Sequence, residues 1–397
     1  MCSTSSSAHL KFEICTSEKM NWKFWKKDKT TPKKKKGAVR EWADAILFAV
    51  IAATLIRTLF IEAYVIPSGS MEGSLLIGDY LFVSKVNYGA RMPITPLAIP
   101  FTAHTIPFTE TKSYLDVQLP YYRLPGLSDI KKGDIVVFNL PTEADSPLYR
   151  PVDRRENIIK RCQGTPGDTL SLVNALVYVN SKPRPAVEAG KMAYIIKTDG
   201  SGINPDLVNE LQLENFGAVD NTTFTANATV ESIRQLKTYS NVKSVTPNIA
   251  IKGLVDDFNP VYPLSHPDYK IGAMPRYGWN VDNFGPVIIP KKGWTVKLDS
   301  LTFPIYGRAI AVYEHNTVKV NGKDIFINGK KADTYTFKMN YYWMMGDNRH
   351  NSTDSRYWGF LPEDHVVGKA LFTWMSIDST ASFVNKIRWN RLFRGIK

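Results

Sequence analysis

The hydrophobic pattern of this chain has one long stretch and many short ones. "AILFAVIAATLIRTLFIEAYVI", residues 45–66, is apolar except for Arg57 and Glu62, and its first 12 residues carry no charge. A membrane-spanning helix needs about 20 predominantly apolar residues. The stretch therefore predicts one such helix, with Arg57 near enough to the far end to reach the interface. A buried core helix and a cleavable signal peptide compete with this reading. Against the first stands the lysine-rich flank before the stretch, because such flanks stay cytoplasmic. Against the second, the stretch runs directly into "IPSGSM" and a patterned strand whose apparent function needs an anchor.

After residue 75 the period shortens. "LLIGDYLFVSKV" and "KKGDIVVFNL" (131–140) each place a Gly-Asp turn before a short apolar strand. The run Ile135, Val136, Val137, Phe138 has the form of a fully buried strand. "VYVNSK" (177–182), "VKVNGK" (318–323) and "IFINGK" (325–330) alternate and then turn at Asn-Ser or Asn-Gly, which predicts hairpins. Between about 184 and 290 the texture changes to a loop-rich insert with two short surface helices. One opens at Asn204-Pro205; the other follows Thr229, with Glu231 in its first turn and Ile233 and Leu236 three apart. Residues 91–128, rich in Pro and aromatics, read as an irregular excursion between core strands. The elements add up to a mainly β body with an inserted subdomain.

Charge changes the picture only at one end. The 397 residues carry a formal +13, but residues 20–40 alone hold nine Lys/Arg against Asp28. Residues 1–19 are neutral, and the remaining chain is only weakly basic, so no nucleic-acid surface is indicated. Met20, followed at once by "NWKFWKKDKT", is a second candidate start, and residues 1–19 carry no functional reading. Of the three cysteines, Cys2, Cys15 and Cys162, only Cys162 lies beyond the apolar stretch, so no intramolecular disulfide is expected there. No metal-ligand cluster or phosphate loop occurs, and no cofactor is expected.

The chemistry-bearing residues fall in three stretches. "IPSGSM" (66–71) sets Ser68, Gly69 and Ser70 just past the apolar run; a turn accounts for the composition, and a nucleophile is the sharper reading. None of His9, His104, His266, His315, His350 and His365 stands in a recognisable triad context, and there is no G-x-S-x-G elbow. A lysine base is the alternative to histidine, provided burial lowers its pKa. "ENIIKRCQGTPGD" (156–168) offers Lys160 behind Ile158 and Ile159, in an apolar strand, although a solvated strand lysine is the commoner meaning. "MMGDNRHNSTDSRYWGFLPEDHVVGKA" (344–370) is dense in Asp, Asn, Ser and Arg. That composition suits a rigid polar loop, and for most of its residues the role is structural.

In this chain order, "IPSGSM", "GDIVVF", "IIKRCQGTPGD" and "GDNRHNSTDSRYWGF", after an N-terminal apolar stretch, resemble the bacterial type I signal peptidase (leader peptidase) family of membrane-bound Ser-Lys proteases. "NVDNFGPVIIPKKG" (280–293) is similar to a stretch in single-anchor members. The resemblance implies Ser70 as nucleophile and Lys160 as general base, with the Ser70 N–H and the Ser68 hydroxyl as oxyanion hole. Ser352 would orient the lysine amine, and Gly346, Asp347, Asp354 and Arg356 would hold the loop together. Ile66, Met71, Leu75, Ile158 and Ile159 would line shallow pockets for small side chains, which implies cleavage after an Ala-x-Ala-like site. Glu72, Gly73 and Ser74 depart from the family's usual proline and threonine, as do Gln163 and Thr165 from apolar residues and His350 from an acid.

The implied fold is mainly β, a core of coiled antiparallel sheets with an inserted α+β subdomain and one transmembrane helix. The expected division is 1–42 basic cytoplasmic tail, 43–66 membrane helix, 67–183 and 344–397 catalytic core, and 184–343 insert. The expected substrates are secretory precursors bearing signal peptides, met at the lipid bilayer near the protein translocase, with the catalytic part on the periplasmic face. An inactive membrane-anchored scaffold for such precursors is the alternative. A self-cleaving repressor is disfavoured because a basic tail and anchor stand where its DNA-binding domain would. The final "KIRWNRLFRGIK" (386–397) reads either as a lipid-touching or as a solvated segment.

Overall fold

The apolar stretch folds as two elements. In a computed structural model describing residues 37–102, 104–379, 381–382 and 386–396, helix α1 spans Ala38–Leu59 and strand β1 spans Ile61–Val65. The basic run before residue 37, Cys2 and Cys15 lie outside the described residues. All 22 residues of α1 are unburied, and at about 1.5 Å per residue such a helix matches a bilayer's hydrocarbon thickness. The expected helix of 43–66 thus ends early. Its two interrupting charges explain the break: Arg57 Nε donates to Glu62 at 2.6 Å, and Lys85 reaches the same carboxylate at 2.8 Å. That pairing closes the corner where the chain turns from α1 into the sheet. The chain divides into two units, residues 1–50 and 51–397.

Within the second unit, an eight-stranded antiparallel sheet carries the site. β1 pairs with β2 (Asp79–Ser84), and β3 (Ile135–Asn139) pairs with β4 (Asn157–Gly164). The long strand Val366–Ser376 lies between β2 and β3, and Tyr341–Met345 then Leu361–Pro362 follow β4. All five residues of β3 are buried, as its unbroken apolar run predicts. Register shifts in Val366–Ser376 against both neighbours bend the sheet. The bend lets β1 and β4, three strands apart in the order, line one cleft. The last segment is no loose tail: Arg394–Gly395 pairs with Phe372 and Thr373, and Arg391 forms a buried ion pair with Asp79.

Two further cores are built around smaller sheets, the first of them sharing Tyr341, Trp343 and Met345 with the eight-stranded sheet. Strands Thr169–Val173, Leu176–Val179, Lys182–Pro183 and Phe284–Ile288 form one small sheet, whose buried residues join Phe303, Tyr306, Phe337, Trp343 and Phe360 in an aromatic core. The strands at 169–183 therefore pair with 284–288 and not with the catalytic sheet. The other core belongs to Lys191–Thr198, Glu214–Ala218, Thr223–Thr229 and Val242–Pro247. Both predicted helices pack on it: Pro205–Glu210 is capped by Asn204 and Val230–Leu236 by Thr229. The resemblance implied an α+β insert, but the residue pattern placed no strands here, because the buried face relies on Ala226 and Ala228 as much as on Ile196. The hairpin turns are as expected, with Asn180 and Ser181, and Asn328 and Gly329, in the left-handed region.

Candidate active site

The serine stretch folds as Ser68 in extended conformation followed by a one-turn 3-10 helix, Gly69–Met71. Met71 and Leu75 pin this turn from below, fully buried with Ile66, Leu81, Ile135 and Ala370. The Ser68 side chain makes no capping bond to the turn, so its hydroxyl is not used up there. Ser70 faces the cleft. On β4, side chains alternate between the two faces, which sends Lys160 to the cleft and Arg161 to the other side. Lys160 is 5% exposed, and its Nζ donates to Ser70 Oγ at 2.6 Å. Burial pushes the lysine pKa down from 10.5 to about 8; Asp354 and Asp347 oppose that shift and Arg356 adds to it.

The loop after Tyr341–Met345 packs against the serine turn through paired charges. Arg161 holds Asp347 with two bonds, 2.9 and 2.7 Å, and Ser74 Oγ donates to the same carboxylate at 2.6 Å. Arg356 holds Asp354 with two bonds of 2.9 Å, and the Gly346 N–H and Ser352 Oγ also donate to Asp354. Burial works to raise the Asp354 pKa, but the guanidinium and these donors outweigh it and hold the carboxyl below its ordinary value. Gly346 has no room for a side chain: a Cβ there would lie 2.3 Å from Ser352 Oγ and 2.5 Å from the Ser70 carbonyl. Glycine is what lets the loop close on the turn.

The cleft runs between Tyr64–Ser70 on one wall and Asn157–Lys160 on the other, over Leu81 and Val137. Ile66, Ile158 and Ile159 line it. Met71 and Leu75 do not; they form the buried support under the turn. Ser352 stands beside Ser70, but among the described residues its hydroxyl donates to Asp354 and not to the lysine amine. Arg161 and Asn348 were not singled out from the sequence, and Ser74 only as a departure from the family pattern. Asn348 donates through its backbone N–H to the Ser70 carbonyl at 3.1 Å and through Nδ2 to the Gly69 carbonyl at 3.2 Å. The basic residue next to Lys160 was the available signal, since a buried arginine on a strand needs a carboxylate partner.

Three departures from the family pattern turn out to face the inserted sheet. Glu72 pairs with Lys191 at 3.1 Å. Gly73, at φ +99°, lies so close to Ala189 that a Cβ would come within 1.7 Å of its carbonyl oxygen. His350 Nδ1 accepts from the Ala193 N–H at 3.1 Å while its Nε2 bonds Asp282 at 3.0 Å. These three unusual residues thus fit this chain's own insert to its site.

Comparison with known proteins places the chain among the serine peptidases. The family model "Signal peptidase, peptidase S26" matches residues 39–246 and 330–375, and the chain belongs to that family. Its relatives include "Signal peptidase I" of Buchnera aphidicola subsp. Baizongia pistaciae, 25% identical over 83% of this chain and 74% of that one. The "Signal peptidase I" of Buchnera aphidicola subsp. Acyrthosiphon pisum is 28% identical over 86% and 77%, respectively. That of Rickettsia massiliae is 23% identical over 93% and 97%. The chain is accordingly a hydrolase of the signal peptidase kind, and its relatives support signal-peptide cleavage as its activity.

Proposed function

We propose that this chain is a membrane-anchored endopeptidase that removes signal peptides from secretory precursors after small residues, with Ser70 as nucleophile and Lys160 as general base. The observation that carries the reading is the 2.6 Å contact between a buried lysine amine and the Ser70 hydroxyl. Neutral Lys160 takes the Ser70 proton as Oγ attacks the scissile carbonyl. The Ser70 N–H and the Ser68 hydroxyl hold the oxyanion. The lysine then protonates the leaving amine, and water releases the acyl group with the same lysine as base. Asp347, Asp354, Arg356, Gly346 and Ser352 keep the loop rigid around the pair. Ile66, Ile158 and Ile159 leave a shallow apolar wall suited to small side chains.

The apolar helix α1 is the single anchor in this reading, with the basic flank on the cytoplasmic side and the catalytic unit on the periplasmic face. There, near the translocase, tethering raises the enzyme's effective concentration at a substrate embedded in the same bilayer. The catalytic part would be the eight-stranded sheet, so the expected bounds at 183 and 343 give way: 169–183 pair with 284–288, and Tyr341–Met345 belongs to the catalytic sheet. The test is precursor cleavage by detergent-purified wild type, Ser70→Ala and Lys160→Ala, read by N-terminal sequencing. Cleavage after a small residue by wild type alone is expected. Processing by either variant would remove that residue from the mechanism.

A further inference from the structure

The inserted sheet reaches the catalytic turn through a chain of charged and amide groups. Lys191, the first residue of strand Lys191–Thr198, is 2% exposed, and its Nζ donates to Glu72 at 3.1 Å and to Glu214. The other Glu214 oxygen accepts from Asn348 Nδ2 at 2.7 Å. The same Nδ2 donates to the Gly69 carbonyl at 3.2 Å, and the Asn348 N–H donates to the Ser70 carbonyl at 3.1 Å. The Gly69 carbonyl belongs to the peptide unit whose N–H is that of Ser70. A donor on that oxygen fixes the plane of the unit and polarises the N–H at its other end.

Resting on the dyad reading above, we propose that Lys191 and Glu214, both from the insert, are positioning residues for the oxyanion-binding N–H of Ser70. Lys191 holds the Glu214 carboxylate, Glu214 aims the Asn348 amide, and Asn348 orients the Gly69–Ser70 peptide. Lys191 also grips the turn directly through Glu72. A buried cation shared between carboxylates is seldom a net source of stability. Its value here is geometric, and a displacement of about 1 Å at a reacting group can lower a rate about 100-fold.

The test compares full-length Lys191→Met, Glu214→Gln, Asn348→Ala and the Lys191→Met/Asn348→Ala pair with wild type in detergent, using one precursor. Ser70→Ala is included as a control. Lys191→Met and Asn348→Ala should each lose about 10- to 100-fold in kcat with KM changed less than about twofold, because the interaction is felt in the transition state. The pH midpoint of cleavage should not move, since the base is untouched. The pair should lose clearly less than the two single losses combined, as expected for residues that share a path. Should Lys191→Met fail to fold, Glu214→Gln, which keeps the packing, must show the same kcat loss. Wild-type kcat, a raised KM with kcat intact, or additive losses would overturn the inference. Dead Ser70→Ala beside wild-type Lys191→Met would sink this inference alone, whereas active Ser70→Ala would sink the dyad and the inference with it.

Discussion

Cleavage should rise with pH along a single limb set by Lys160. In water a lysine of pKa 10.5 is neutral in about one molecule in 3,000 at pH 7; at about 8 the neutral fraction is about one in ten. Burial therefore supplies about 300-fold more base at neutral pH. The same burial carries a stability cost. The unfolded chain keeps this proton up to about 10.5 while the folded lysine releases it near 8. Between those values the unfolded state binds more protons, so wild-type stability rises with pH across that window. Below about pH 8 the penalty is complete, at about 3 kcal/mol for the shift. Lys160→Met should thus be inactive yet more stable than wild type by about 2–3 kcal/mol at pH 7, with the gain fading toward pH 10. Precursor cleavage from pH 6 to 10 and thermal unfolding of both proteins at pH 7 and 10 measure the two effects. A kcat/KM midpoint near 6.5, or one above 10, would refute the lysine argument. So would a Lys160→Met stability gain that did not depend on pH.

Two substitutions probe the support around the dyad. Asp354→Ala leaves the Arg356 guanidinium buried without its carboxylate, and urea unfolding should show a loss of about 3–5 kcal/mol; a loss below about 1 kcal/mol would mean the pair is not what holds the loop. Gly73→Ala places a Cβ against the Ala189 backbone at φ +99°, so thermal unfolding should reveal a loss of about 1–3 kcal/mol, with cleavage falling in step. Unchanged stability would show that the insert does not press on the turn.

The sequence made legible the features that depend on neighbours in the chain. Asn204 and Thr229 cap their helices, the Asn-Gly pair at 328–329 turns its hairpin, and the buried run of β3 is buried. Ser70 and Lys160 were singled out because the stretches around them resemble a family, and the structure brings the two side chains together across 90 positions. What stayed hidden depends on partners far along the chain. Lys191 gave no local sign of Glu72, 119 positions away, and Arg161 none of Asp347. Met71 and Leu75 were placed in the substrate pockets because apolar residues beside a nucleophile look alike whether they touch substrate or prop the turn. The end of α1 was misjudged for a related reason: β1 continues the apolar composition, and composition alone does not tell helix from strand.

On the dyad reading, the route of the chain through this sheet bears on when the site can be assembled. Ser70 and Lys160 come early in the chain, whereas Tyr341–Met345 and the loop that grips the Ser70 turn come much later, and Val366–Ser376 later still. Arg161 waits 186 positions for Asp347, and Ser74 waits 273. Until then Lys160 remains in water, protonated at neutral pH, and Ser70 is an ordinary hydroxyl. On that reading a partly made chain holds both groups of the pair without the loop that fixes them, because the contacts of Arg161 and Ser74 with Asp347 must wait for the late strands.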